Sequence, residues 1–224
     1  MTAKKNLPFN IQSLFPNCAA TACCRIADAG GSMNPAEYSG IKHAVEARQQ
    51  EFSAGRMCAR QALKHLGIFA SPLCVLPNRS ISWPEGIIGT ISHNEIWCGA
   101  AVARRCDVAG IGLDMETVTR IGEKLWRRIL TTEEHTWLDW QPAAERQQWA
   151  ALIFSAKETV YKCIAALVSR RIGFMDAVIV PDLREGAFAV HLKGSIAGHL
   201  PQGLQLQGRF FFFAGAVFTG LTLA

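Results

Sequence analysis

Gly110-Ile111-Gly112-Leu113-Asp114-Met115-Glu116 is a glycine-punctuated apolar run that ends in two carboxylates spaced i, i+2. It reads as a strand, and because a strand alternates its faces, Asp114 and Glu116 project from the same side. About forty residues on, Phe154-Ser155-Ala156-Lys157-Glu158-Thr159-Val160-Tyr161-Lys162 reads as helix and offers a third carboxylate, Glu158, with cationic neighbours Lys157 and Lys162. Three hard oxygen donors suit Mg²⁺, which keeps positions open for water and substrate phosphate. The two lysines would counter the charge of that phosphate. Together the two stretches point to phosphoryl-type chemistry.

Working outward from 110–116, three short apolar runs at 87–92, 97–103 and 108–113 have strand length and are bounded by Gly, Asn or Asp. Upstream, 36–66 carries helical periodicity, with Gly67 as its stop. The stretch 73–84 reads as loop or edge hairpin. Downstream, 122–130 is helical, and Thr131-Thr132-Glu133-Glu134 reads as a capping box that opens another helix. A long helix is expected from Pro142 to about Val168, its apolar positions Trp149, Ile153, Ala156, Val160, Ile164 and Leu167 keeping 3–4 spacing. Strand-like runs follow at 177–180, 187–192, 204–213 and 216–223. The order predicts an α+β architecture in two similar halves divided near Gly110, although no sequence repeat marks them.

The composition sets limits. At 224 residues, half of them apolar, the chain can bury a sizeable core as one large domain or two packed halves. A net charge of +5 is too mild for the dense basic footprint of a nucleic-acid binder, and Trp126, Trp137 and Trp140 lie among acidic residues. The eight cysteines include the adjacent Cys23 and Cys24 but no Cys-x-x-Cys or Cys/His ligand spacing. Several lie in apolar periodic segments, where a thiol behaves as a small hydrophobe. Lys4 and Lys5 precede no long apolar run, and the apolar stretch 210–218 is too short to span a bilayer as a helix. A reducing, cytoplasmic setting is expected.

Two further motifs carry chemistry. Gly89-Thr90-Ile91-Ser92-His93 is a strand that ends in a hydroxyl and an imidazole, both able to bond phosphate oxygens. Arg48, Arg56 and Arg60 form a cationic stripe on the first long helix, Arg56 and Arg60 sharing a face. Taken singly, each has a plainer reading. Asp114 and Glu116 would be a solvated strand end, Glu158 and Lys162 a helical i, i+4 ion pair, His93 a hydrogen-bonded turn residue, and the arginines a solvated face. Their occurrence together, in order, favours a site.

In that order the sequence resembles the 4′-phosphopantetheinyl transferases of the surfactin/enterobactin-synthetase type. The resemblance is carried by Gly55-Arg56, Trp83-Pro84, Ser92-His93, Gly112-Leu113-Asp114-Met115-Glu116 and the Phe154 to Lys162 motif. It implies a monomer of two similar α/β-type halves related by a pseudo-twofold, with the active site in the cleft between them. Residues 1–110 would bind the adenosine and 3′-phosphate end of coenzyme A, and 111–224 would carry Mg²⁺ and the catalytic residues. The phosphopantetheine arm of coenzyme A would pass to a serine of an acyl, peptidyl or aryl carrier protein, releasing adenosine 3′,5′-bisphosphate.

Residue by residue, Asp114, Glu116 and Glu158 would hold Mg²⁺ against the pyrophosphate. Glu158, directly or through a water, would deprotonate the carrier serine, and Lys162 would assist the leaving group. Ser92, His93, Arg56 and Arg48 would bind the adenosine end, with Lys157 also on the cofactor and Arg60 and Arg79 as weaker candidates. Asn94 and Thr159 depart from the usual pattern, which leaves the ligands intact and touches only pocket shape. The pathway implied is siderophore, other nonribosomal peptide, or polyketide synthesis. Three rivals remain: a Mg²⁺-dependent enzyme acting on another nucleotide, a non-catalytic module that binds coenzyme A or a carrier, and a nucleic-acid binder.

Overall fold

The computed structural model describes residues 7, 9–30, 34–38, 41–69, 72–77, 80–165, 167–168, 172–197 and 204–224. Two antiparallel sheets organise them. The first contains β1 (Ala20–Arg25), β2 (Ile87–His93) and β3 (Trp97–Arg104) in the order β1-β3-β2. The second contains β4 (Gly110–Thr117), β5 (Ala177–Asp182), β6 (Ala187–Leu192), β7 (Leu206–Phe213) and β8 (Ala216–Leu223) in the order β4-β8-β7-β6-β5. The helices are α1 (Pro35–Tyr38), α2 (Glu46–His65), α3 (Glu123–Ile129), α4 (Thr132–Asp139), α5 (Arg146–Ile164) and α6 (Gly194–Ala197).

One connection is used twice. A strand (β1, β4) leads to a long helix (α2, α5), and a hairpin (β2–β3, β7–β8) then returns so that its second strand pairs antiparallel with the first. Helix α2 lies on the first sheet and α5 on the second, while β5 and β6 extend the second sheet at its far edge. The α+β class is therefore observed, and the likeness of the halves lies in their connectivity. Strand β2 runs beside β4, which brings its Ser92-His93 end to the second sheet.

Local chemistry explains most of these elements. Ile153, Ala156, Val160 and Ile164, three or four apart on α5, are all buried. The Thr131/Glu134 capping box forms at α4. Gly67 ends α2 with φ +77°, a conformation that a Cβ would strain. Several expected boundaries move, among them the end of the long helix, which stops at Ile164 with Leu167 beyond it and exposed. The helix expected over 36–66 begins at Glu46, because Val45 is extended with ψ 151°. The helix expected from Pro142 begins at Arg146, after a turn that Arg146 closes by donating to the Gln141 and Asp139 carbonyls. Strand β4 starts at Gly110 and reaches Thr117, past the 108–113 run, so Asp114 and Glu116 lie within the strand, as their shared face requires.

A core shared by both sheets surrounds the N-terminal segment. Ile11, Leu14 and Phe15, in and next to a 3-10 turn (Ile11–Leu14), pack with Trp97 and Ala101 of β3, with Leu113 and Met115 of β4, and with Phe218 of β8. Among the described residues, no helix is long and apolar enough to cross a membrane.

Candidate active site

Gly110, Gly112, Asp114 and Glu116 occupy alternate positions of β4, and the two glycines are where the backbone of α5 comes down on the strand. A Cβ on Gly112 would fall on the Thr159 carbonyl oxygen, and one on Gly110 on the Cys163 carbonyl oxygen. Two strand residues advance about 6.8 Å and four helix residues about 6 Å. Helix and strand therefore stay in step, Gly110 with Cys163, Gly112 with Thr159 and Asp114 with Ser155. The missing side chains let the helix approach, and the next residue in the series is the carboxylate.

Asp114 is the hub. It is 6% exposed. Its Oδ1 accepts from Lys162 Nζ at 2.7 Å and from Ser92 Oγ at 3.0 Å, and its Oδ2 accepts from Ser155 Oγ at 2.8 Å. Lys162 Nζ also donates to Ser92 Oγ at 3.0 Å and to the Leu113 carbonyl at 3.1 Å. A cavity of about 240 Å³ opens on this group, lined by Ser92, His93, Asp114, Glu116, Glu158 and Lys162 among others.

Glu116 and Glu158 are half-buried in the same wall. Burial raises the Glu158 carboxyl above its ordinary range, and the charge of Asp114 adds to this against the pull of Lys162. Burial also raises Glu116, reinforced by Asp114 and Glu95 and opposed by a hydrogen bond from the Thr117 N–H and by Arg120. Glu158 is shared with a second cavity of about 360 Å³, whose wall includes Tyr161, Ile172 and Phe174.

The first sheet contributes His93. Its Nε2 lies 2.8 Å from Arg48 Nη1, and since a guanidinium can only donate, that nitrogen accepts and the ring proton is on Nδ1. Burial holds the imidazole below its ordinary pKa, helped by the Arg48 and Lys162 cations and opposed by Glu51. Glu51 also accepts from Arg48 at 2.9 Å. The buried Nδ1 of His93 has no partner among the described residues.

Several expected residues take other places. Lys157 does not face a phosphate: its ammonium donates to the Ile129 carbonyl, Glu134 Oε2 and the Phe174 carbonyl at 2.6–2.7 Å, which engages all three donors in the interior. Ser92 gives its one proton to Asp114 and so stands with the carboxylate hub, on the cavity wall beside His93. Arg56 is buried away from the cavity, its Nε donating to the Leu73 carbonyl at 2.7 Å and its guanidinium over the Phe52 ring at 4.2 Å. Arg60 pairs with Glu37 at 2.8 Å, and Arg79 lies outside the described residues. Asn94 is a turn residue, its Oδ1 accepting from the N–H groups of Ile96 and Trp97.

Sequence reasoning passed over Ser155, Thr219 and Glu51, and gave Thr159 a part only in pocket shape, whereas it is fully buried behind the cavity wall. Ser155 and Thr159 stand inside the quoted helical motif, and Glu51 is one turn from Arg48. Thr219 has no local signal.

The donor set fits a hard divalent cation. Asp114, Glu116 and Glu158 share one cavity, and burial with the charge of Asp114 raises the pKa of the two glutamates, a condition that a cation relieves. Among the described residues, no three His, Cys, Asp or Glu side chains close a ready-made metal cage. Mg²⁺ is commonly held by one or two carboxylates together with substrate phosphates and waters.

Comparison with known proteins gives a consistent result. Residues 36–103 match the 4′-phosphopantetheinyl transferase N-terminal domain family, and residues 110–209 match the 4′-phosphopantetheinyl transferase superfamily. The chain is 34% identical over 196 residues to 4′-phosphopantetheinyl transferase Svp of Streptomyces mobaraensis, covering 85% of this chain and 78% of that one. It is 32% identical over 196 residues to 4′-phosphopantetheinyl transferase PptT of Mycobacterium tuberculosis, covering 84% and 85%. To enterobactin synthase component D of Escherichia coli it is 31% identical over 145 residues, covering 64% and 66%.

Proposed function

This chain belongs to the 4′-phosphopantetheinyl transferase superfamily, and from that premise we propose that it transfers the phosphopantetheine arm of coenzyme A to a serine of an apo carrier protein, with Mg²⁺. The observation that carries the reading is the single cavity in which Asp114, Glu116, Glu158 and Lys162 meet His93 from the other sheet. In this reading the first half, 1–110, binds the adenosine end and the second half, 111–224, carries the metal and the chemistry.

Asp114, Glu116 and Glu158 would hold Mg²⁺, which supplies charge neutralisation and orientation of the pyrophosphate. Arg48 and His93 bind the adenosine bisphosphate portion, Arg48 by charge and His93 through its free Nδ1–H. The second cavity, with Tyr161, Ile172 and Phe174 in its wall and Glu158 at its edge, suits the pantetheine chain.

The carrier serine oxygen attacks the phosphorus that bears pantetheine. The new P–O bond replaces the bond to adenosine 3′,5′-bisphosphate, which leaves. Glu158 accepts the serine proton, directly or through a water. Lys162 sets its positive charge beside the departing phosphate.

Both walls of the cavity come from one chain, which supports action as a monomer, and all eight cysteines are free thiols, which supports a reducing, cytoplasmic setting. The enterobactin synthase relative supports siderophore or other nonribosomal peptide synthesis as the pathway, with polyketide synthesis as the alternative carrier class. The test is intact-mass analysis of an apo carrier protein incubated with this protein, coenzyme A and Mg²⁺. One phosphopantetheine is gained and the gain is lost with EDTA. No gain on peptidyl, aryl and acyl carriers alike would refute the reading.

A further inference from the structure

Beneath Asp114 lies a group of hydroxyls that the transfer reaction does not itself require. Ser155 and Thr159 on α5 and Thr219 on β8 are each 0% exposed. Ser155 Oγ is 2.8 Å from Asp114 Oδ2, Thr219 Oγ1 is 2.9 Å from Ser155 Oγ, and Thr159 Oγ1 is 2.6 Å from Thr219 Oγ1. The direction of the chain follows from its end. Asp114, paired with the Lys162 ammonium, can only accept, so Ser155 donates to it. Ser155 has a single proton and is then an acceptor for Thr219, which in turn accepts from Thr159. Backbone alternatives exist, Thr219 Oγ1 to the Ser155 carbonyl at 3.1 Å and Thr159 Oγ1 to the Thr219 carbonyl at 3.3 Å, but both are longer.

We propose that Thr159, Thr219 and Ser155 form a one-way hydroxyl relay that positions the Asp114 carboxylate for the metal. The inference rests on the metal reading given under Proposed function and adds to it the residues that set the carboxylate's orientation. Each hydroxyl polarises the next in a dry, low-dielectric interior, so the last donor strengthens along the chain. Oδ1 is held by Lys162 and Ser92 from the cavity side, and those partners line the space that the substrate enters. Ser155 is the one donor to Asp114 among the described residues that does not line the cavity, and it is therefore the contact that persists when the cavity fills. Outer partners of this kind commonly govern metal affinity by about 10- to 100-fold. Ser155, Thr159 and Thr219 are positioning residues, since none of them touches substrate or metal.

Mn²⁺ binding, read by electron paramagnetic resonance with coenzyme A present and carrier absent, tests the relay without turnover. Thr219→Val replaces the hydroxyl with a methyl of the same shape, Thr219→Ser keeps the hydroxyl, and Ser155→Ala removes the last donor. Ser155→Ala is expected to weaken Mn²⁺ binding by about tenfold or more, Thr219→Val by a smaller factor, and Thr219→Ser not at all. In steady-state assays the half-saturating Mg²⁺ concentration rises more than kcat falls. If Ser155→Ala and Thr219→Val lower the melting temperature yet bind Mn²⁺ as wild type does, the hydroxyls are packing and the proposal is overturned. A loss in Thr219→Ser equal to that in Thr219→Val also overturns it. If the wild-type protein itself binds no Mn²⁺, the metal reading beneath the proposal has failed, and the relay proposal falls with it.

Discussion

At the residue scale, Asp114 and Glu158 divide the labour of the cavity by their surroundings. Asp114 is bonded by Lys162, Ser92 and Ser155, whereas no hydrogen bond reaches the Glu158 carboxylate among the described residues. Glu158 has its pKa raised by burial and by the Asp114 charge, so the folded protein takes up a proton on it at a higher pH than the unfolded chain does. Stability therefore falls as pH rises from the unfolded pKa through the folded one, and the cost is fully present above that. Glu158→Gln is expected to abolish transfer and yet to raise the melting temperature at pH 7 in EDTA. The advantage should vanish below the ordinary glutamate range, about pH 4. Melting curves of both proteins at the two pH values check this. A variant no more stable than wild type at pH 7 would contradict it.

At the scale of elements, the site depends on the closeness of α5 to β4. Gly112→Ala places a methyl on the Thr159 carbonyl and must push the helix away from the strand. Overpacking of this kind costs about 1–3 kcal/mol. Because Glu158 and Lys162 move with the helix, activity at temperatures where the variant remains folded should drop further than the stability loss explains. Paired activity and circular-dichroism measurements decide the point. Lys157 makes a second tie, from α5 to Glu134 of α4 and to the carbonyls of Ile129 and Phe174. Breaking one side of such a buried pair costs about 3–5 kcal/mol, or on the order of 10 °C in a chain of this length. Lys157→Met should show that loss without any coenzyme A present. A variant of normal melting temperature with only a raised KM for coenzyme A would restore Lys157 to the phosphate.

At the scale of the whole molecule, the two sheets are joined by the N-terminal segment. Leu14 is 4% exposed in a cluster with residues of β3, β4 and β8, and a Cβ on Gly220 would meet Leu14 at 2.7 Å. Neither sheet has a separate core on that side, so the units should unfold together. Leu14→Ala is expected to cost about 2–5 kcal/mol and to shift one calorimetric transition as a whole. Two transitions of which only one moves would show that the halves are independent.

Much of this was legible along the chain because it is written in local periods. Alternation marked β4 and set Asp114 and Glu116 on one face, 3–4 spacing marked α5, and the Thr131/Glu134 box marked the start of α4. The kinds of residue at the site, and hence the family and its chemistry, also follow from the sequence by itself. Which cation meets the cavity does not. Lys157 and Lys162 flank Glu158 on one helix, and only the placement of Glu134, from a different helix, draws the first inward and leaves the second at Asp114. Thr219 comes to Ser155 from sixty-four positions away because β8 is the neighbour of β4. Residue types and their periods are properties of the chain, whereas the partner of a buried polar group is chosen by whichever distant element packs against it, and that only the tertiary structure decided.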